Sequence, residues 1–344
     1  MASPHPDLDG VSVVLVLSGG SALGAYQAGG YQALHERGLR PEWVVGASTG
    51  AINGALICGN PDDTRVARLA EFWSPAAPSS VEPAWWSAPG EDMRRSLAAA
   101  GTLAVGQPRI FVPHPPGGWP ASGGDSARAS LFDTAPLAAT LARLTDLDRP
   151  GAPRLTVTAV DLESGEPAVF DTRHARIGTD HIRASSALLP SFSPVEIDGR
   201  VYGDGGLAAN LPLDPVLAAT PDRATLVIAL DLLPLGAPRP RSIGEATSRA
   251  QDLMFASQSR RSIAAWQTLY EARGSDAPPV TLLHIDYRRQ EAEVAGKAFD
   301  FSPQTVRARW DAGYADVAGA LGRLADGRLA LGTHGLTVWR PPAD

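Results

Sequence analysis

Lysine is almost missing from this chain. Of 344 residues only Lys297 is one, and every other basic residue is arginine. We read that imbalance as compositional bias of the genome rather than as mechanism. Cysteine is as scarce: Cys58 stands alone, which excludes an intrachain disulfide and a multi-cysteine zinc site. It sits in an apolar stretch and reads as a buried structural thiol. Long apolar runs are missing too, and none approaches the roughly 20 residues of a membrane-spanning helix. Residues 1–10 (MASPHPDLDG) put no basic segment ahead of the first apolar run, so no cleavable secretory leader is expected and the reading is a cytoplasmic protein. Positive charge is in deficit: 30 Lys and Arg against 37 Asp and Glu give a net charge of −7. That argues against nucleic acid as a partner and against docking on anionic lipid by charge alone.

What is present suffices for a folded core, with 44% hydrophobic and 19% charged residues. At about 150 residues per domain the length would make roughly two domains. Residues 11–17 (VSVVLVL) are continuously apolar and β-branched, as in a strand buried on both faces of a parallel sheet. A glycine-rich turn follows, then a helical pattern over 22–38 with Gly38 placed as a C-terminal cap. A short strand at 43–45 leads into a second glycine-rich turn and a buried helix over 51–58. This strand–turn–helix order, twice within 60 residues, predicts an α/β fold with parallel strands.

Further helices are expected over 64–73, 135–144, 180–190, 243–272 and 303–324. Strands are expected over 155–161, 169–171, 226–232 and 280–287, and a hairpin over 195–202 turns at Asp198-Gly199. Residues 75–130 are dense in Pro and Gly, carry Trp85, Trp86 and Trp119, and read as an irregular functional insertion. Because strands run from the first third to the last, the organisation expected is one domain over 8–320 with that insertion, followed by a tail over 321–344.

The second turn, Gly46-Ala47-Ser48-Thr49-Gly50, is a G-x-S-x-G sequence between an apolar strand and a helical segment. That context suits a nucleophilic serine on a sharp strand-to-helix turn, with small neighbours relieving the crowding. The helix start adds N–H groups and a positive dipole end beside Ser48. The first turn, residues 18–24 (SGGSALG), lacks the G-x-G-x-x-G spacing of a dinucleotide site, despite Glu42 downstream, and lacks the Gly-Lys-Ser/Thr of a P-loop. Its remaining use is an oxyanion hole. For the base two candidates stand. His284, inside an apolar strand-like run, reads better as a strand histidine. Asp204, ringed by Gly203, Gly205 and Gly206, suits a partly desolvated general base.

Together, residues 18–24, 46–50 and 204–206 resemble the patatin-like phospholipase family. Residues 24–29 (GAYQAG), 50–53 (GAIN) and 187–190 (ALLP) with Phe192 and Pro194 are similar to family sequence, as is Leu207 with Asn210 and Pro212. Residues 287–289, 301–302 and 310–316 resemble a bacterial branch with an extended C-terminal region. Two departures stand out: Ser21 takes the place of a usual third glycine, and Leu23 that of a basic residue.

The resemblance implies a three-layer α/β/α fold with a mainly parallel central sheet. It implies hydrolysis of carboxylic esters of phospholipids or other acyl lipids by a Ser48–Asp204 dyad and an acyl-enzyme, Asp204 being the proton acceptor. Gly19, Gly20, Ser21 and Thr49 would supply the oxyanion hole, and Gly24, Gly46, Gly50, Gly205 and Gly206 are the motif glycines. No metal or other cofactor is expected. The partner is a lipid ester, with peripheral contact at a membrane compatible with that role. The three tryptophans would line an acyl pocket or meet the interface, and Arg260-Arg261 reads as a solvated helix face. Two alternatives keep the fold: a non-catalytic acyl-lipid-binding regulator, for which Ser21 is the argument, and an acyltransferase.

Overall fold

The computed structural model describes residues 8, 10–74, 90–114, 130–219, 221–274 and 277–341. Trp85, Trp86 and Trp119 lie outside the described residues. The chain opens with β1 (Ser12–Leu17), a 3-10 turn over Ser21–Gly24, α1 (Ala25–Glu36), β2 (Trp43–Gly46), α2 (Thr49–Cys58) and α3 (Arg65–Trp73). It continues through α4 (Glu91–Val105), the short strands β3 (Val112–Pro113) and β4 (Phe132–Asp133), α5 (Ala135–Leu144), β5 (Arg154–Asp161), β6 (Pro167–Asp171) and α6 (Thr179–Ser185). The hairpin β7 (Val195–Ile197) and β8 (Arg200–Asp204) leads to the short helices α7 (Gly206–Ala209) and α8 (Asp214–Leu217). β9 (Thr225–Asp231), α9 (Ile243–Arg273), β10 (Val280–Asp286), α10 (Pro303–Ala325) and β11 (Leu336–Trp339) complete it.

The main sheet runs β11-β10-β9-β1-β2-β5-β8-β7, with β6 also paired to β5. From β11 to β5 every neighbouring pair is parallel, and β6, β7 and β8 are antiparallel. β1 sits near the middle, and its alternate residues feed two cores. Val13, Leu15 and Leu17 pack with α1, α2 and α10, while Val14 and Val16 pack with α9 and residues 211–217. Both faces of the strand are therefore buried, which is why its sequence is apolar without alternation. The result is a three-layer α/β/α architecture.

Two segments differ from the sequence reading. Glu91–Val105, inside the stretch expected to be irregular, is a helix with Glu91 and Asp92 in its first turn, where acidic side chains favour the helix dipole. Its Arg95 is buried against Glu293 and Asp300, a long-range partnership that no local pattern announces. Leu336–Trp339, in the segment read as a tail, adds a parallel strand to β10. Only four residues long, it carries too little pattern to register as a strand. Among the described residues no helix is long and apolar enough to cross a membrane.

Candidate active site

Ser48 stands between β2 and α2 with φ 54°, a left-handed conformation that is strained for a residue with a side chain. Its backbone is clamped on both sides. The Ser48 N–H donates to the Ser185 carbonyl at 3.1 Å and to Ser185 Oγ at 3.0 Å, and Ser186 Oγ donates to the Ser48 carbonyl at 3.2 Å. The turn is so tight that a Cβ on Gly50 would lie 2.1 Å from the Leu17 carbonyl oxygen, and one on Gly46 2.4 Å from that of Gly50. The motif glycines thus mark backbone against backbone, as expected of a serine presented on a strained turn.

Strand register brings Asp204 to this serine. β2 pairs with residues 154–157 along one edge of β5 and ends at Gly46, while β6 takes the opposite edge over residues 156–160. Ala159 is paired with Asp204 of the antiparallel β8. β8 therefore lies on the edge of β5 that β2 leaves free beyond Gly46, which brings Asp204 next to the turn carrying Ser48, although the two are 156 positions apart in the chain. The Ser185 carbonyl also accepts from the Gly205 N–H, at 3.2 Å, and the Ala187 carbonyl from the Asp204 N–H, at 3.0 Å. One segment, 185–187, therefore holds both halves of the site.

The Asp204 carboxyl is buried, and burial pushes its pKa up to about 7. The neighbouring Ser48 hydroxyl and the Gly206 N–H, which donates to Asp204 Oδ1 at 2.7 Å, pull the other way.

The expected oxyanion donors divide. The Gly19 N–H is spent on the Asn210 carbonyl at 3.0 Å, so Gly19 is removed from the donor set. Its glycine is needed for space instead: a Cβ there would lie 2.5 Å from Asn210 Oδ1 and 3.0 Å from Ser48 Cβ. The N–H groups of Gly20, Ser21 and Thr49 have no hydrogen-bond partner among the described residues. Ser21 has φ 51°, which accounts for a glycine being the easier residue there, and its side chain stands at the site without closing it.

Two cavities meet at Ser48 and Ser21. The first, about 430 Å³, is walled by Ile52, Phe72, Trp73, Ile110, Leu137 and Phe301. The second, about 640 Å³, is bordered by Asp204, Asn210, Gln251, Asp252, Lys297 and Phe299. Phe192 borders both, within an aromatic cluster in which the Phe111 ring lies 4.9 Å from Phe132 and 5.1 Å from Phe192. Among the described residues, phenylalanines and Trp73 supply the aromatic lining of these cavities.

The other sequence candidates fall elsewhere. His284 Nε2 meets Asp231 Oδ2 at 3.2 Å in the buried sheet and borders neither cavity. Arg260 and Arg261 are exposed on α9. Cys58 is buried, and burial pushes its thiol up to about 12. Among the described residues no three His, Cys, Asp or Glu side chains gather to hold a metal ion.

A patatin-like phospholipase family model matches residues 15–217, more than half of the chain. The chain belongs to the patatin-like phospholipase family. A second model, described as patatin phospholipase, matches residues 248–325. Over 67 residues this patatin-like protein is 43% identical to neuropathy target esterase sws of Drosophila sechellia, covering 20% of this chain but only 5% of that protein. Among solved structures, VipD from Legionella pneumophila aligns with TM-score 0.44 and 14% identity over 92% of this chain and 67% of its own. The type III effector protein ExoU aligns with TM-score 0.35 and 16% identity over 92% of this chain and 53% of its own.

Several positioning residues of this patatin-like site escaped the sequence reading. Gln27 Nε2 donates to the Ser18 carbonyl at 2.8 Å, and Asn53 Nδ2 to the Gly24 carbonyl and to Gln27 Oε1, both at 3.0 Å. Asn210 Nδ2 donates to the Gly19 carbonyl at 3.2 Å. All three lie in stretches that resemble the family, but their amides act on backbone groups distant in sequence, which no spacing rule exposes.

Proposed function

We propose that this chain is a serine lipid acyl hydrolase that cleaves carboxylic esters through Ser48 and Asp204. The observation that carries the reading is Ser48 on its strained turn, which borders an apolar cavity on one side and shares a second cavity with the buried Asp204 carboxyl on the other. Asp204 takes the Ser48 proton as Oγ attacks the ester carbonyl. The N–H groups of Gly20, Ser21 and Thr49 receive the developing oxyanion. The tetrahedral intermediate collapses, Asp204 protonates the departing alkoxide, and the acyl group remains on Ser48. Asp204 then takes a proton from water, which attacks the acyl carbonyl. Collapse releases the fatty acid and returns the proton to Ser48.

The cavity lining supports an orientation. Asp204 borders the second cavity and not the first. The leaving alcohol must receive its proton from Asp204, so it belongs in the second cavity and the acyl chain in the apolar first. Exposed Met93, Leu97 and Val105 on α4 support peripheral contact with a lipid surface.

Fluorophosphonate labelling with mass spectrometry of the labelled peptide tests the nucleophile. A single adduct on Ser48, absent from Ser48→Ala, is the expected result, together with fatty-acid release from lipid esters by the wild type alone. No adduct on the folded wild type would overturn the hydrolase reading in favour of an acyl-lipid-binding regulator.

A further inference from the structure

The single lysine of the chain lies at the second cavity. Lys297 and Asp252 both border it, both are more than nine-tenths buried, and Lys297 Nζ meets Asp252 Oδ2 at 2.8 Å. Two of the three ammonium hydrogens are assigned, to Asp252 and to Gln290 Oε1 at 2.6 Å. Asp252 Oδ1 is buried and has no hydrogen-bond partner among the described residues. A buried carboxylate oxygen without a donor is costly and points to a missing group. The place is also fixed firmly. Lys297 begins the 3-10 turn Lys297–Phe299, which packs against the oxyanion turn, and its carbonyl accepts from Arg309 Nη2 at 2.9 Å.

We propose that Asp252 and Lys297 recognise the leaving alcohol as a neutral polyol, one of whose hydroxyls donates to Asp252 Oδ1 while accepting the third Lys297 N–H. The assignment rests on the hydrolase reading above, which puts the alcohol in this cavity. The pair carries no net charge, and that selects among head groups. A phosphate would sit beside the Asp252 carboxylate, and a quaternary ammonium beside the Lys297 ammonium. A hydroxyl, at once donor and acceptor, satisfies both. The ester class that fits is a neutral acylglycerol with free hydroxyls.

The test uses three substrates with one acyl chain: 1-monooleoylglycerol, methyl oleate and oleoyl-lysophosphatidylcholine, in the same detergent micelles. Sharing the acyl group, they differ only in what enters the second cavity. The wild type is expected to show kcat/KM for monooleoylglycerol roughly ten- to a hundredfold above the other two, the range of one or two hydrogen bonds to charged groups. In the double variant Asp252→Asn/Lys297→Met the ratio of monooleoylglycerol to methyl oleate is expected to fall toward unity. A wild type that cleaves methyl oleate or the lysophospholipid as well as monooleoylglycerol overturns the assignment while leaving the hydrolase reading intact. A ratio unmoved in the folded double variant does the same. Cleavage of none of the three, with no label on Ser48, overturns the hydrolase reading and this assignment with it. The wild-type ranking requires no variant, so the assignment remains refutable should the double variant not fold.

Discussion

Arg309 Nη1 donates to the carbonyl of Ala22 at 2.9 Å, tying the last long helix to the turn that follows the first strand. Arg309 is fully buried, and Nε and Nη2 also grip Glu293, at 2.8 and 2.7 Å. Burial alone would raise the Glu293 pKa, but the Arg309 hydrogen bonds and charge, with Arg95 beside them, hold it below the usual range. Arg309→Met should therefore leave a buried carboxylate short of a partner and cost about 3–5 kcal/mol in unfolding free energy. Urea unfolding reads the loss directly. Because the oxyanion turn loses its tether, fluorophosphonate labelling of the variant that remains folded should also slow.

Asp204 sets a pH dependence in activity and in stability, with opposite senses. As a general base it must be ionised, so kcat/KM should rise with pH through about 7 and then level. For stability, the folded pKa lies above the ordinary 3.8, so between those values the native state holds a proton that the unfolded chain has lost. Stability therefore falls as pH rises across that window. Asp204→Asn, which cannot ionise, should gain about 2–4 kcal/mol over wild type at pH 8 and little at pH 4. Its turnover should drop by about 10²–10⁴. Denaturant titrations at the two pH values, beside pH–rate profiles, check both halves.

Ser21 adopts a left-handed backbone that glycine would adopt without strain. Ser21→Gly should stabilise the fold by about 1 kcal/mol and leave Ser48 labelling intact, since the donor at this position is the backbone N–H. A thermal shift and a labelling time course suffice. A loss of labelling would show that the Ser21 hydroxyl, not its N–H, contributes to the site.

Ile110 borders the apolar cavity and is half-buried. Ile110→Trp should fill part of that volume and move the preferred acyl chain to shorter lengths, seen as a lower kcat/KM ratio of C16 to C8 esters. An unchanged chain-length profile would place the acyl group elsewhere.

The repeated strand–turn–helix pattern was legible because strands buried on both faces announce themselves through unbroken apolar runs. Residues 11–17 and 226–232 are read almost as they stand, as β1 and β9. Ser48 was legible for a related reason, since glycines at 46 and 50 are a local signature of a backbone crowded against itself. Asp204 needed more. Its glycine neighbours flag a tight loop, but its place beside Ser48 follows from antiparallel pairing with β5, which no local spacing contains. That the Gly19 N–H is already taken is invisible locally, because its acceptor, the Asn210 carbonyl, is 191 positions away. Lys297 carries no local signal at all. In a chain where nearly every cation is arginine, its compact ammonium sits buried against Asp252, where a guanidinium would need more room.

The order of strands also governs when the molecule can fold. β1 lies between β2 and β9, so one of its edges is covered only by residues 225–231. While the ribosome adds the intervening stretch, at about 5–20 residues per second, that apolar edge waits without its partner for roughly 10–40 s. Such an edge is a template for pairing with another nascent chain. The growing polypeptide is thus most exposed to aggregation after its nucleophile has been made and before β9 emerges, and a holdase chaperone supplied in that interval should raise the yield of native protein.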